Sequence, residues 1–158
     1  MSAQPSVAVP PPPRQCTHAF VLDQSAATAI EWFTALGERD WAPGWEPELL
    51  SGHEARGSVF ATTATDGTRT HWIVAAFDRR AGHASYARLA HGSHMGLVDV
   101  HCRALGPART EVSVTYTLTP LSQAGERLVA EMLEPSRYRA FIDGWKSAID
   151  AAGSRRTK

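Results

Sequence analysis

The spacing of hydrophobic positions along the chain changes period twice. CTHAFVLD (16–23) reads as a first strand, and Ser25 then offers an N-cap for AATAIEWFTAL, with Ile30, Phe33 and Leu36 on one face and Gly37 as its stop. ERDW adds a second short helical turn before Pro43 and Gly44 break it. From Glu48 to Thr119 the period falls to two. Turn chemistry at HEARG (53–57), TDGT (65–68), DRRAG (78–82), AHGSH (90–94) and LGPAR (105–109) divides this region into six strands joined as consecutive hairpins. Beyond it Leu121, Leu128, Met132, Phe141, Ile142, Trp145 and Ile149 recur at helical spacing, a long amphipathic helix that Pro135 should kink or split. Seven antiparallel strands with one long helix across them, and two short helices after the first strand, make an α+β fold.

Strand parity assigns the faces. Val112, Val114, Tyr116 and Leu118 alternate with Glu111, Ser113, Thr115 and Thr117, so even positions face inward. Pairing Val100 with Val114 puts Val98, Val100 and Cys102 inside, and Asp99, His101 and Arg103 outside. Pairing Val100 with Tyr86, Val74 with Tyr86 and Phe60 with Trp72 extends the inner face to Arg88, Ala76, Thr62 and Leu50; a single bulge would reverse the parity beyond it. The inner face then carries Phe60, Trp72, Tyr86, Arg88 and Tyr116, and the C-terminal helix brings Met132, Tyr138, Phe141 and Trp145 to the same space. Burying a guanidinium and phenol hydroxyls without partners costs about 1–3 kcal/mol each. Either a carboxylate or water meets them, or they line a cavity. Trp41 and Trp45, in WAPGWEPELL (41–50), fall where the short helices hand the chain to the second strand. They are expected to form a structural corner and the cavity rim.

Composition narrows the function classes. At 158 residues the chain is one domain, 43% hydrophobic and 20% charged. Sixteen basic residues balance sixteen acidic ones, so no net field draws it to nucleic acid or anionic lipid. No apolar run is long enough to span a bilayer, and the first residues do not read as a signal peptide. Residues 1–14, rich in proline, read as a disordered arm, 15–153 as the domain and 154–158 as a basic tail. Cys16 and Cys102 lack metal-ligand spacing and are expected as free thiols in a reducing cytoplasm.

Candidate chemistry is sparse. His91 and His94 in HGSH approach ligand spacing but sit on a hairpin turn, and no metal site is expected. His71 and His101 fall on the outward parity. There is no GxSxG, phosphate-loop or dinucleotide glycine pattern, so no nucleotide cofactor is expected either.

WAPGWEPELL, GSVFAT, HWIVAAFD, ASYARL, TEVSVTYTLTPLSQAG and YRAFIDGWKSAI resemble, in order and spacing, the SRPBCC superfamily of START-like and polyketide cyclase-like proteins, in particular a bacterial subgroup. The resemblance covers about residues 15–152. It implies a helix-grip fold, a curved sheet wrapped around the C-terminal helix with an apolar cavity between them. It also implies a hydrophobic or amphipathic small-molecule ligand, lipid- or polyketide-like, in contact with Phe60, Trp72, Tyr86, Arg88, Tyr116, Phe141 and Trp145, with Trp41 and Trp45 at the rim. Two other readings stand beside this one. The first is a cyclase- or aromatase-like enzyme without metal or nucleotide cofactor, in which Arg88 holds a carboxylate or developing enolate beside Tyr86 and Tyr116. The second is a co-chaperone-like interaction domain with a filled cavity. A homodimer is compatible with all three.

Overall fold

A computed structural model describes residues 8–157. Its seven strands are β1 (Arg14–Leu22), β2 (Glu48–Ser51), β3 (Val59–Thr63), β4 (Arg69–Asp78), β5 (His83–Ala90), β6 (His94–Gly106) and β7 (Arg109–Pro120). They form one antiparallel sheet in the order β1-β7-β6-β5-β4-β3-β2, so the first strand closes against the last. Between β1 and β2 lie α1 (Ala26–Ala29) and two 3₁₀ turns, Ile30–Phe33 and Gly37–Asp40; α2 (Gln123–Met132) and α3 (Pro135–Arg156) follow β7. The fold is the α+β helix grip expected from the pattern.

Local chemistry sets the boundaries. Ser25 Oγ accepts from the Thr28 N–H at 3.2 Å, and Ser122 Oγ from the Gly125 N–H at 3.0 Å, capping α1 and α2. Pro135 splits the C-terminal helix. It takes the first position of α3, while the Glu134 carboxylate accepts from the N–H groups of Ser136 (3.2 Å) and Arg137 (2.9 Å). The first helical stretch is α-helical only to Ala29 before tightening to 3₁₀. Gly82, at φ +64°, turns β4 into β5, where a Cβ would lie 2.3 Å from the Cys102 carbonyl oxygen. The arm read over residues 1–14 lies partly outside the described residues; residues 8–13 carry no regular structure, and Arg14 already belongs to β1. α3 likewise runs past the expected boundary at 153, through Arg156.

Three bulges, at Leu49/Ser51, Val74/Ala76 and Ala104/Gly106, bend the sheet around its inner face. They also account for two corrections to the parity. The second bulge turns Ala76 outward and brings in Phe77, opposite the fully buried Ala84. The first leaves Leu50 46% exposed rather than inside. Tyr86 pairs with Val98, and Val100 with Ala84; this is a shift of two residues, which preserves the faces. Elsewhere the inner face is as expected, from Phe60 and Trp72 through Val98, Val100 and Cys102 to Val112, Val114 and Leu118, all buried.

The helical stripe is corrected too. Ile142 and Ile149 are fully buried, but Leu121, Leu128 and Phe141 are 51%, 41% and 50% exposed. The break before Pro135 reorients α2, so Val129 and not Leu128 packs inward, and Tyr138 replaces Phe141 as the buried aromatic of α3. The Tyr138 hydroxyl donates to the Val114 carbonyl at 2.7 Å. α3 packs chiefly on β1, at one edge of the sheet. The inner faces of β3, β4 and β5 are thus left without a helix directly over them, and there the cavity opens.

Candidate ligand-binding cavity

The cavity measures about 610 Å³, within the range that accommodates small organic molecules. Its floor is the sheet and its far wall is α3, contributing Ala140, Phe141, Gly144, Trp145 and Ala148. Phe60 and Trp72, directly paired across β3 and β4, stack with ring centroids 5.8 Å apart and planes 4° apart. Trp45 stands edge-on to both, at 6.1 and 5.6 Å, and Trp41 leans on Trp145 at 5.2 Å.

The corner WAPGW is fixed by its own indoles. Trp41 Nε1 donates to the Trp32 carbonyl at 2.8 Å, and Trp45 Nε1 to the Ala35 carbonyl at 2.7 Å, so both tryptophans are tied back to the chain between residues 32 and 35. Gly44, at φ +71°, makes the bend between them. The corner is therefore structure and cavity wall at once. All nine positions singled out from sequence, Trp41, Trp45, Phe60, Trp72, Tyr86, Arg88, Tyr116, Phe141 and Trp145, lie on the wall of this one cavity. The interior is open, unlike the filled interior of the interaction-domain reading.

Polar groups are few and unequal. The Tyr86 hydroxyl donates to the Phe33 carbonyl at 2.6 Å, and burial pushes its ionisation far above the ordinary phenol range. It is a structural tie. Tyr116 is raised to about 12 by burial, against the pull of the nearby Arg88 cation. The Arg88 guanidinium carbon lies 4.7 Å above the Trp72 ring centroid and 5.9 Å from that of Tyr116. No carboxylate among the described residues pairs with it, burial lowers its pKa, and its Nε is buried without a partner.

Behind Arg88 stands His94, 2% exposed, with Nδ1 3.0 Å from Ser93 Oγ and Nε2 unpartnered. Burial, then the Arg88 charge, lowers its pKa to about 4, so the imidazole is neutral at pH 7. His91, by contrast, is exposed at the hairpin tip, and no cluster of three metal-ligating side chains occurs among the described residues. His71 and His101 are exposed on the outer face.

One functional candidate was missed by the sequence reading. Glu38 lies on the cavity wall, and burial alone raises its pKa to about 8. The 37–40 turn that carries it is set by Thr34, whose Oγ1 accepts from the Gly37 N–H at 2.8 Å and whose carbonyl accepts from the Glu38 N–H at 3.1 Å. The sequence signal was slight: one of the two acids in ERDW, immediately before the aromatic corner.

The sheet, the grip of α3 and the cavity between them define the helix-grip class, the fold of SRPBCC-type proteins. No family model and no curated protein matches the sequence. Among solved structures, norcoclaurine synthase from Thalictrum flavum, in complex with dopamine and hydroxybenzaldehyde, is similar at TM-score 0.64 and 12% identity, over 93% of this chain and 96% of that one. The di-domain ARO/CYC BexL from the BE-7585A biosynthetic pathway is similar at TM-score 0.67 and 12% identity, over 87% of this chain and 46% of that one. Ginseng major latex-like protein 151 from Panax ginseng is similar at TM-score 0.66 and 14% identity, over 88% of this chain and 96% of that one. At these identities the likeness is one of fold.

Proposed function

We propose that this protein binds a hydrophobic or amphipathic small molecule in the cavity between sheet and α3. One observation carries the reading: an open space of about 610 Å³ between sheet and α3, walled by stacked aromatic rings. A cavity of this size left empty forfeits contacts that a natural core would make, so its retention points to an occupant. Phe60, Trp72 and Trp145 supply apolar surface, and Arg88 supplies a charge at one end. No helix among the described residues is long and apolar enough to cross a membrane. The two free cysteines, Cys16 half-buried and Cys102 buried, support a reducing cytoplasm as the place of work.

The test is saturable binding of a neutral fluorophore, N-phenyl-1-naphthylamine, to the purified full chain. One site per chain is expected, together with loss of binding in Gly144→Phe, whose side chain would project into open cavity space. Absence of saturable binding, or an unchanged signal in that variant, would overturn the reading.

A cyclase-like enzyme is the second reading, favoured by a guanidinium that stands in the cavity beside Tyr116 without a carboxylate partner among the described residues. Arg88 would stabilise a developing enolate, with the Tyr116 hydroxyl as proton donor. Tyr86, committed to the Phe33 carbonyl, is the weaker candidate. The similar structures whose names denote a synthase and an ARO/CYC protein are consistent with this.

A further inference from the structure

Arg88 on β5 and Glu38 on the 37–40 turn share the cavity wall, and neither has a charged partner among the described residues. Buried ions ordinarily pair or are neutralised. Arg88 instead lies on Trp72, and the groups that feel its charge are Tyr116 and His94. Those that feel Glu38 are Tyr86, from β5, and Tyr116, from β7. The residues of α3 on the cavity wall are not ionisable. The charged cluster that also reaches Tyr86, Arg79 with Glu31 and Glu54, is paired within itself. The cavity thus has one cation at one place and one carboxyl at another, with aromatic surface around both.

Deepening the small-molecule reading and resting on it, we propose that the natural occupant is a singly anionic amphiphile, a carboxylate on a planar apolar body. Its anionic oxygens seat on Arg88, and one of its oxygens accepts a hydrogen bond from Glu38 in its protonated form, so binding holds while Glu38 keeps its proton and weakens as that proton is lost. The logic is charge balance in an apolar space. A monoanion neutralises Arg88 and finds in protonated Glu38 a hydroxyl donor, whereas ionised Glu38 would set a second negative charge against it. A neutral ligand would leave Arg88 uncompensated, and a dianion would exceed the one cation present. Glu38 is half-buried on the cavity wall, and its desolvation there raises its pKa to about 8, which favours the acid form at neutral pH.

Two dyes that share one body separate these requirements. 1-Anilinonaphthalene-8-sulfonate carries an anion, with its sulfonate standing in for the carboxylate, and N-phenyl-1-naphthylamine carries none. With the full chain at pH 6.5 the anionic dye is expected to bind roughly tenfold more tightly than the neutral one. That advantage should fall roughly tenfold by pH 9.5, while the neutral dye stays level. Glu38→Gln should keep the tight binding and abolish its pH dependence. Arg88→Gln should reduce the anionic dye to the level of the neutral one, and Arg88→Lys should retain part of the difference. If Arg88→Gln does not fold, the wild-type pH profile and Glu38→Gln still decide. Equal affinities for the two dyes, a flat wild-type profile, or a pH dependence that persists in Glu38→Gln would each overturn the proposal while leaving the cavity reading intact. Failure of both dyes to bind would overturn both.

Discussion

At the scale of single residues, Glu38 and His94 give the fold an optimum in pH. The ordinary pKa of Glu38 is 4.5 and its native value is about 8, so between these the native state keeps a proton that the unfolded chain has released. Stability from this group is therefore lost as pH rises through that window. His94 works in the opposite sense. Its ordinary value of 6.5 falls to about 4 on folding, so the unfolded chain takes the proton first and stability is lost as pH falls through 6.5 toward 4. Glu38→Gln should leave unfolding near pH 5 almost unchanged and stabilise the protein at pH 8.5. The expected gain is about 1–2 kcal/mol once water in the cavity is allowed for, read from denaturant melts at the two pH values. Neither group's burial announced itself in the sequence. An acid in a short polar turn and a histidine at a hairpin are ordinary surface choices, and only the packing of other elements over them changes their chemistry.

At the scale of elements, two helical glycines carry opposite meanings. Gly125 in α2 lies against the β5–β6 hairpin, where a Cβ would stand 1.8 Å from the Ser93 carbonyl oxygen, so only glycine lets α2 seat there. Gly144 in α3 faces open cavity, with nothing within 4 Å of a Cβ. Gly125→Ala should therefore cost about 1–3 kcal/mol through forced backbone displacement. Gly144→Ala should stabilise by about 0.5–1 kcal/mol through helix propensity. Thermal unfolding of the two variants side by side checks both signs. The strands were more legible than these contacts. Side-chain alternation and glycine-bearing turns identified six hairpin-linked strands and their faces, because period two is written directly in the residues. The bulges at Leu49/Ser51 and Val74/Ala76 carry no residue signature, and so Leu50 and Ala76 were misplaced. The exposure of Leu128 and Phe141 escaped the helical period because the break at Pro135 resets it.

At the scale of the whole molecule, the helices are moored to the sheet edge and to the corner. Arg14 of β1 pairs with Glu126 of α2, and His18 Nε2 lies 2.8 Å from Asp143 of α3. At the far end of α3 Arg156 pairs with Asp40 and lies 3.9 Å above the Trp32 ring centroid, while Arg155 donates to the Asp40 carbonyl at 3.1 Å. Asp40 closes the turn that bears Glu38, so the helix end read from sequence as a basic tail braces the cavity's acid. Removing residues 154–158 should cost about 1–2 kcal/mol, mostly from the lost cation–π contact and ion pair. It should also speed amide exchange at residues 37–41, measured by hydrogen exchange with the rest of the sheet as reference.

The placement of the indoles has a practical consequence of its own. Four of the five tryptophans, Trp41, Trp45, Trp72 and Trp145, stand on the cavity wall, and Trp32 sits apart beneath Arg156. A molecule that enters must exchange water for itself at the surface of at least one emitting ring. The unmodified chain is in this sense its own gauge, and a shift in its native emission on mixing with a cell extract would report occupancy before the occupant had been identified.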